Sequence, residues 1–146
     1  MAAIEIRSAS SADLTPARAL LVANALPLDG FPDHPECVWV AADREHVVGV
    51  VALELFPDGA LLRSLAVQQG VRGQHLGRLL VAAALNDARR RDLGVVYLLT
   101  TTAESFFTRL GFGIVARDEV PGSLLGSVEF RSACPTTATA MLMRLD

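Results

Sequence analysis

The chain contains no lysine. All 13 of its basic residues are arginine, which excludes a lysine Schiff base. It has two cysteines, Cys37 and Cys134, far apart and without a C-x-x-C pair, and three scattered histidines. No zinc-type ligand spacing exists, no metal is expected, and both thiols read as reduced small hydrophobes. Apolar residues make up 51% of the chain, yet no apolar run approaches the ~18 residues that span a bilayer, so no membrane partner is expected. Basic excess is absent too. A net charge of −3 and a pI near 5.6 leave no cationic footprint for nucleic acid. The opening MAAIEIRSAS carries Glu5 and Arg7 within a strand-like alternation and lacks the apolar stretch of a secretory signal. The expectation is a cytoplasmic protein with a small-molecule partner.

With 146 residues, the chain reads as one domain, 1–146, able to bury ~68% of its unfolded surface. Residues 4–7 read as a strand. Thr15 caps a helix with Pro16 at its first position, running to about Ala25 and closed by Pro27. Residues 28–36, with two prolines, a glycine and three acids around Phe31 and His34, read as a loop able to carry substrate contacts or to serve as a solvated connection. Residues 37–42 and 47–56 form the pattern of an antiparallel hairpin, and a Pro-Asp-Gly turn leads into a third strand, 60–67. A helix beginning near Gln74 presents Leu76, Leu79, Leu80, Ala83 and Ala84 at helical spacing, carries Arg89, Arg90 and Arg91 at its end, and stops at Gly94. A strand at 95–100 follows, and a crossover of this length joins parallel strands. Thr102 caps a short helix, 103–110; 112–116 and 139–145 are strands. Between 117 and 138 the chain is too long to be structureless. Pro121 could open a short helix there, and the segment is either a substrate-facing flap containing Glu129 or an ordered surface insertion. The fold class is α+β, a mixed sheet of about seven strands with about four helices.

The stretch 61–80, LLRSLAVQQGVRGQHLGRLL, is a strand, a loop and a helix start. Helix N-termini offer unpaired N–H groups and the positive end of a dipole, so a glycine-bearing loop at such a place suits phosphate. Gly73 and Gly77 permit close approach and Arg72 adds a fixed charge. Plain turn chemistry is the competing reading. No Walker A Lys-Ser/Thr pair follows the glycines, and their spacing is not G-x-G-x-x-G.

Arg72-Gly73-Gln74-His75-Leu76-Gly77 resembles the Q/R-x-x-G-x-G/A loop of the GNAT family of N-acetyltransferases, with His75 where the middle glycine is usual. Ala103-Glu104-Ser105-Phe106-Phe107-Thr108-Arg109-Leu110-Gly111-Phe112 is similar to that family's A-x-x-F-Y-x-K-L-G-F helix and turn. The order of elements is also the GNAT order. The runs LLRSLAV, YLLTTTAESFFTRLGF and EF-x-S-x-CP look like an acetyltransferase subgroup encoded beside arsenic-resistance genes.

This resemblance implies a GNAT fold with splayed strands and acetyl-CoA as co-substrate. It implies cofactor contacts from Leu65, Ala66 and Val67, from Arg72 through Gly77 (including Gly73, Gln74, His75 and Leu76), and from Arg78, Thr100, Phe106 and Phe107. Phe107 stands where many members have a tyrosine that protonates the leaving thiolate, and Thr100 replaces a frequent asparagine.

Acyl transfer to an amine needs a base or an already neutral amine, a donor to the oxyanion, and a route for the thiolate. Glu54, Glu104 and Glu129 are candidate bases; Ser64 and Thr101 are polar candidates near the splay. Deprotonating a lysine-like amine at pH 7 costs ~4.6 kcal/mol and an α-amine only ~1 kcal/mol, which favours an amino-acid-like acceptor. Arg63 lies in an otherwise apolar run and must meet an anion. Either it pairs with Glu54 or it holds a substrate carboxylate, with Phe31 and Glu129 as further substrate contacts. The expected activity is N-acetylation of a small amine, and the partner expected beside acetyl-CoA and that amine is a second copy of the chain in a homodimer. The rival is a non-catalytic acyl-CoA-binding sensor, made plausible by Phe107.

Overall fold

The computed structural model describes residues 4–44, 46–71, 75–127, 130–131 and 138–145. Its strands are β1 (Ile4–Ser8), β2 (Val38–Asp43), β3 (His46–Phe56), β4 (Gly59–Val67), β5 (Val95–Thr100), β6 (Gly113–Ile114) and β7 (Thr139–Arg144). The helices are α1 (Leu14–Ala23), α2 (Leu76–Arg90), α3 (Glu104–Leu110) and α4 (Gly122–Leu125). The seven strands among the described residues form one sheet in the order β1-β2-β3-β4-β5-β7-β6. The expected α+β class and element order are observed.

Alternation along the strands decides which helix covers which face. Trp39 and Ala41 of β2, Val51 and Leu53 of β3, Leu62 of β4 and Leu98 of β5 share one core with Leu80, Val81, Ala84 and Leu85 of α2 and Phe107 of α3. On the other face, Val38, Val40, Val50 and Ala52 pack under Leu14, Ala17 and Leu21 of α1. Further along that face, Leu61, Tyr97, Leu99 and Ala140 pack under Leu124 of α4. No helix among the described residues is long and apolar enough to cross a membrane.

Several boundaries depart from expectation, each for a local reason. The helix after β1 starts before Thr15: a 3-10 turn at Ser11–Asp13 leads into α1, and Ser10 N donates to Asp13 Oδ2 at 2.7 Å. Pro16 is tolerated as the third helical residue because its missing N–H would have no intrahelical partner there. The stop of α2 comes at Arg90, earlier than Gly94, since Asp92 adopts the left-handed conformation (φ 59°) and Leu93 N donates to Ala88 O. Thr100, not Thr102, serves the start of α3, where Thr100 Oγ1 accepts from Ala103 N at 2.9 Å. The strand expected at 112–116 shrinks to Gly113–Ile114, because Phe112 N donates to Phe107 O and its ring is buried at the end of α3.

The feature that creates a site is the β4–β5 junction. These strands pair in parallel only at Ala60↔Val96 and Leu61↔Tyr97. Beyond Leu61 they part, while β4 stays bonded to β3 as far as Gly49↔Val67.

Candidate active site

Two recesses open where the strands part. The larger, about 800 Å³, is lined by Asn24, Leu26, Leu65, Ala66, Val67, His75, Leu76, Gly77, Arg78, Phe106, Arg109 and Leu110. A smaller one, about 370 Å³, is lined by Ala25, Leu26, Pro27, Leu62, Arg63, Ser64, Leu65, Leu98, Leu99, Thr100, Thr101, Thr102, Ala103 and Phe107. They share Leu26 and Leu65, so a molecule in one can meet a molecule in the other at Leu65.

The backbone around that meeting point is shaped by a bulge. Val50 faces Ala66 and Ala52 faces Arg63, so Val51 alone opposes Ser64 and Leu65. Ser64 carries the extra residue's geometry, with φ 61°. Gln68 N donates to Val48 O at 2.7 Å. Because antiparallel ladders alternate, Ala66 N–H also turns toward β3, and the amide of Leu65 turns toward the cleft. Leu65 and Val67 are therefore the expected acyl contacts supplied with cleft-facing amides, while Ala66 packs in the α1 core.

The larger recess is closed by the start of α2. His75 holds the N-cap with φ 60° and ψ 21°, a left-handed conformation that glycine adopts freely and histidine more readily than most residues. Leu79 N donates to His75 O, so the amides of Leu76, Gly77 and Arg78 precede the first helical bond. Gly77 packs against Phe106, whose Cζ would lie 3.3 Å from an added Cβ. Apolar walls from Leu26, Leu76, Phe106 and Leu110, with Arg78 and Arg109 at the margin, suit an elongated acyl carrier with a phosphorylated end. Arg72, Gly73, Gln74 and Glu129 fall outside the described residues.

The smaller recess combines apolar walls with the hydroxyls of Ser64, Thr100, Thr101 and Thr102. Phe107 lines it too. Its ring stands edge-on to Phe106 (centroids 5.1 Å apart, 77°) and to Phe112 (5.6 Å, 72°). Arg63 is 1% exposed at its side chain; Nη1 donates to Glu54 Oε1 at 2.7 Å, Nη2 to Asp29 O at 2.6 Å and Nε to Ser64 Oγ at 3.1 Å. The guanidinium thus orders the wall of the recess through its pair with Glu54, one of the two roles expected for it. Glu54 is correspondingly held in an ion pair.

Two other expected residues lie elsewhere. Phe31 is buried in the α1 core, beneath Arg18 at 5.6 Å, and lines neither recess. Glu104 sits exposed on the first turn of α3, accepting from Thr139 Oγ1 at 3.4 Å, and likewise lines neither. Conversely, Asn24, Ala25, Leu26 and Pro27 line the recesses, a placement their residue types do not announce. Only Pro27 stood out there, as the residue closing the helix. Away from the site, burial pushes the Cys37 thiol above its ordinary range, in keeping with an unreactive thiol. Among the described residues no cluster of His, Cys, Asp and Glu could hold a metal.

The sequence pattern of the Acetyltransferase (GNAT) domain matches residues 34–114, more than half of the chain. N-acetylglutamate synthase from Neisseria gonorrhoeae, solved with coenzyme A and N-acetyl-glutamate, has a similar fold (TM-score 0.84, 22% identity), covering 100% of this chain and 36% of that one. The chain therefore spans about a third of that protein's length. Rv2747 from Mycobacterium tuberculosis, solved with CoA, is similar at TM-score 0.82 and 24% identity over 97% of this chain and 99% of that one. A GNAT-family acetyltransferase from Staphylococcus aureus gives 0.80 and 17%, over 99% and 100%. At these identities the likeness is one of fold. No curated protein sequence matches the chain.

Proposed function

Because this chain belongs to the GNAT family of acetyltransferases, we propose that it transfers acetyl from acetyl-CoA to the amine of a small, amino-acid-like molecule. The observation that carries this reading is the meeting of the two recesses at Leu65, on the strand that parts from β5. In this assignment the larger recess takes the CoA arm. The amides of Leu76, Gly77 and Arg78 at the start of α2 face the pyrophosphate, where an unpaired helix N-terminus favours an anion. The apolar wall takes the pantetheine, and the Leu65 amide meets the acyl oxygen. Arg72, Gly73 and Gln74, which precede them in the sequence, belong to this contact by family resemblance.

The acceptor enters the smaller recess. Its polar groups among the described residues are hydroxyls and a backbone-bound Arg63, and Glu54 is occupied by that arginine. An α-amine, needing only ~1 kcal/mol to lose its proton at pH 7, can react there without a strong base, whereas a lysine-like amine at ~4.6 kcal/mol cannot. The same preference is supported by the synthase named above, solved with N-acetyl-glutamate. Resemblance to the arsenic-resistance-associated subgroup adds xenobiotic α-amines to the candidates. The test is thiol release from acetyl-CoA over a panel of amino acids and amines. Release with α-amines supports the proposal; tight acetyl-CoA binding with no release from any amine would identify a sensor in its place.

A further inference from the structure

Ser64 occupies a backbone conformation that its residue type disfavours. Its φ is 61°, and glycine would meet that geometry without the steric cost a Cβ brings. A strained non-glycine residue in the wall of the smaller recess, next in sequence to the shared Leu65, directs attention to its side chain. That side chain has a defined polarity. Arg63 Nε donates to Ser64 Oγ at 3.1 Å, so the hydroxyl acts as acceptor toward the guanidinium and directs its own proton elsewhere. Glu54 and the Asp29 carbonyl hold the guanidinium in place from its other nitrogens. A cation donating to the oxygen makes the O–H a stronger hydrogen-bond donor. Ser64 and Phe107 line the same 370 Å³ recess, and Phe107 has no proton to offer.

We propose that Ser64, polarised by Arg63, is the hydrogen-bond donor to the departing thiolate, taking the part that Phe107 cannot. This inference rests on the acetyltransferase reading above. In the step, the amine nitrogen forms a bond to the thioester carbonyl carbon, and the carbon–sulfur bond then breaks with its electron pair on sulfur. The proton lost by the amine is the one that neutralises sulfur, so Ser64 ends with its own hydrogen. Its contribution is to stabilise charge as it develops on sulfur. Arg63 is a positioning residue, acting only through Ser64.

Ser64→Gly removes the hydroxyl while relieving the backbone, so folding is retained, and its melting curve verifies this. The donors compared are acetyl-CoA and phenyl thioacetate, whose thiol is far more acidic and needs little assistance, each with an equimolar mixture of proteinogenic amino acids as acceptor. For acetyl-CoA, kcat should fall by ~10²-fold with KM unchanged, and for phenyl thioacetate kcat/KM should stay within about threefold. Equal losses with both donors, or no loss with either, would overturn the assignment while leaving the acetyltransferase reading intact. Absence of thiol release from the unaltered protein would overturn both.

Discussion

Arg63 Nη1 lies 2.7 Å from Glu54 Oε1 across the β3–β4 ladder, where Glu54 faces Leu61 and Arg63 stands two residues further along β4. These diagonal neighbours lie on one face of the sheet, and the guanidinium reaches on to the Asp29 carbonyl in the loop before β2. Removing a buried charge's partner costs more than the pair itself contributes. Arg63→Ala should therefore destabilise the protein by about 3 kcal/mol, and Glu54→Gln by about 1–2 kcal/mol. Combined, the two changes should fall short of their sum by about 1 kcal/mol or more in a double-mutant cycle of melting measurements. Acetyl-CoA affinity should stay unchanged in Glu54→Gln. Additive losses would contradict a shared pair.

His75 is a second left-handed residue at the site, with φ 60°. If the amides beyond it, not its ring, bind the anion, His75→Gly should raise stability by about 1 kcal/mol through relief of the Cβ clash. Acetyl-CoA affinity, measured by calorimetry, should remain within about threefold. A tenfold loss would give the imidazole a direct role.

Phe107 is fixed by two edge-on rings and is 7% exposed. Truncation to alanine should cost about 3 kcal/mol, as for other buried phenylalanines. Phe107→Tyr alone should leave kcat within about tenfold, because a donor is already present. Added to Ser64→Gly, it should restore at least about tenfold of the lost turnover. A double variant no faster than Ser64→Gly would show that the two positions do not serve the same atom.

Acid should unfold the protein partly through Asp13. Hydrogen bonds from the Arg7 guanidinium (2.6 and 3.2 Å) hold its carboxyl below the ordinary carboxylate range against the opposing effect of burial, and Ser10 N–H and Oγ–H add to the lowering. A depressed folded pKa means that the unfolded chain binds the proton first. The stabilisation is thus complete above about pH 4, the unfolded value, and is lost as pH falls through the folded one. Asp13→Asn should cost about 2 kcal/mol at pH 7 and flatten the stability profile below pH 4. An unchanged acid limb would remove Asp13 from the account.

Periodicity and turn chemistry made the order of strands and helices readable from residue types alone, since each element carries its own local pattern. The short helix Glu104–Leu110 also announced itself by residue type and spacing, whereas of the loop from Arg72 to Gly77 only His75, Leu76 and Gly77 lie within the described residues. Ser64 was legible as a polar residue near the splay, but not its φ of 61°, because a bulge is set by how β3 and β4 register against one another. Asn24 through Pro27 reach the recesses only through the packing of α1 on the sheet, a tertiary outcome with no local signature. Phe31 misled for the converse reason. An aromatic in a loop rich in proline and acid reads as a binding residue, whereas the loop folds back, with Phe31 N donating to Leu28 O, and delivers the ring to the core.

The central claim is that acetyl-CoA in the larger recess gives up its acetyl group to an α-amine in the smaller one. It is tested most directly by incubating the protein with acetyl-CoA and a panel of α-amino acids, following free thiol and the mass of the acceptor together. Gly77→Glu, which places bulk and negative charge beside Phe106 at the start of α2, serves as the control. The account predicts amine-dependent thiol release with an equal yield of N-acetylated product, and loss of both, with acetyl-CoA binding weakened by more than ~10²-fold, in a folded Gly77→Glu protein. Acetyl-CoA bound tightly with neither thiol nor product formed, or turnover undiminished in Gly77→Glu, would contradict it.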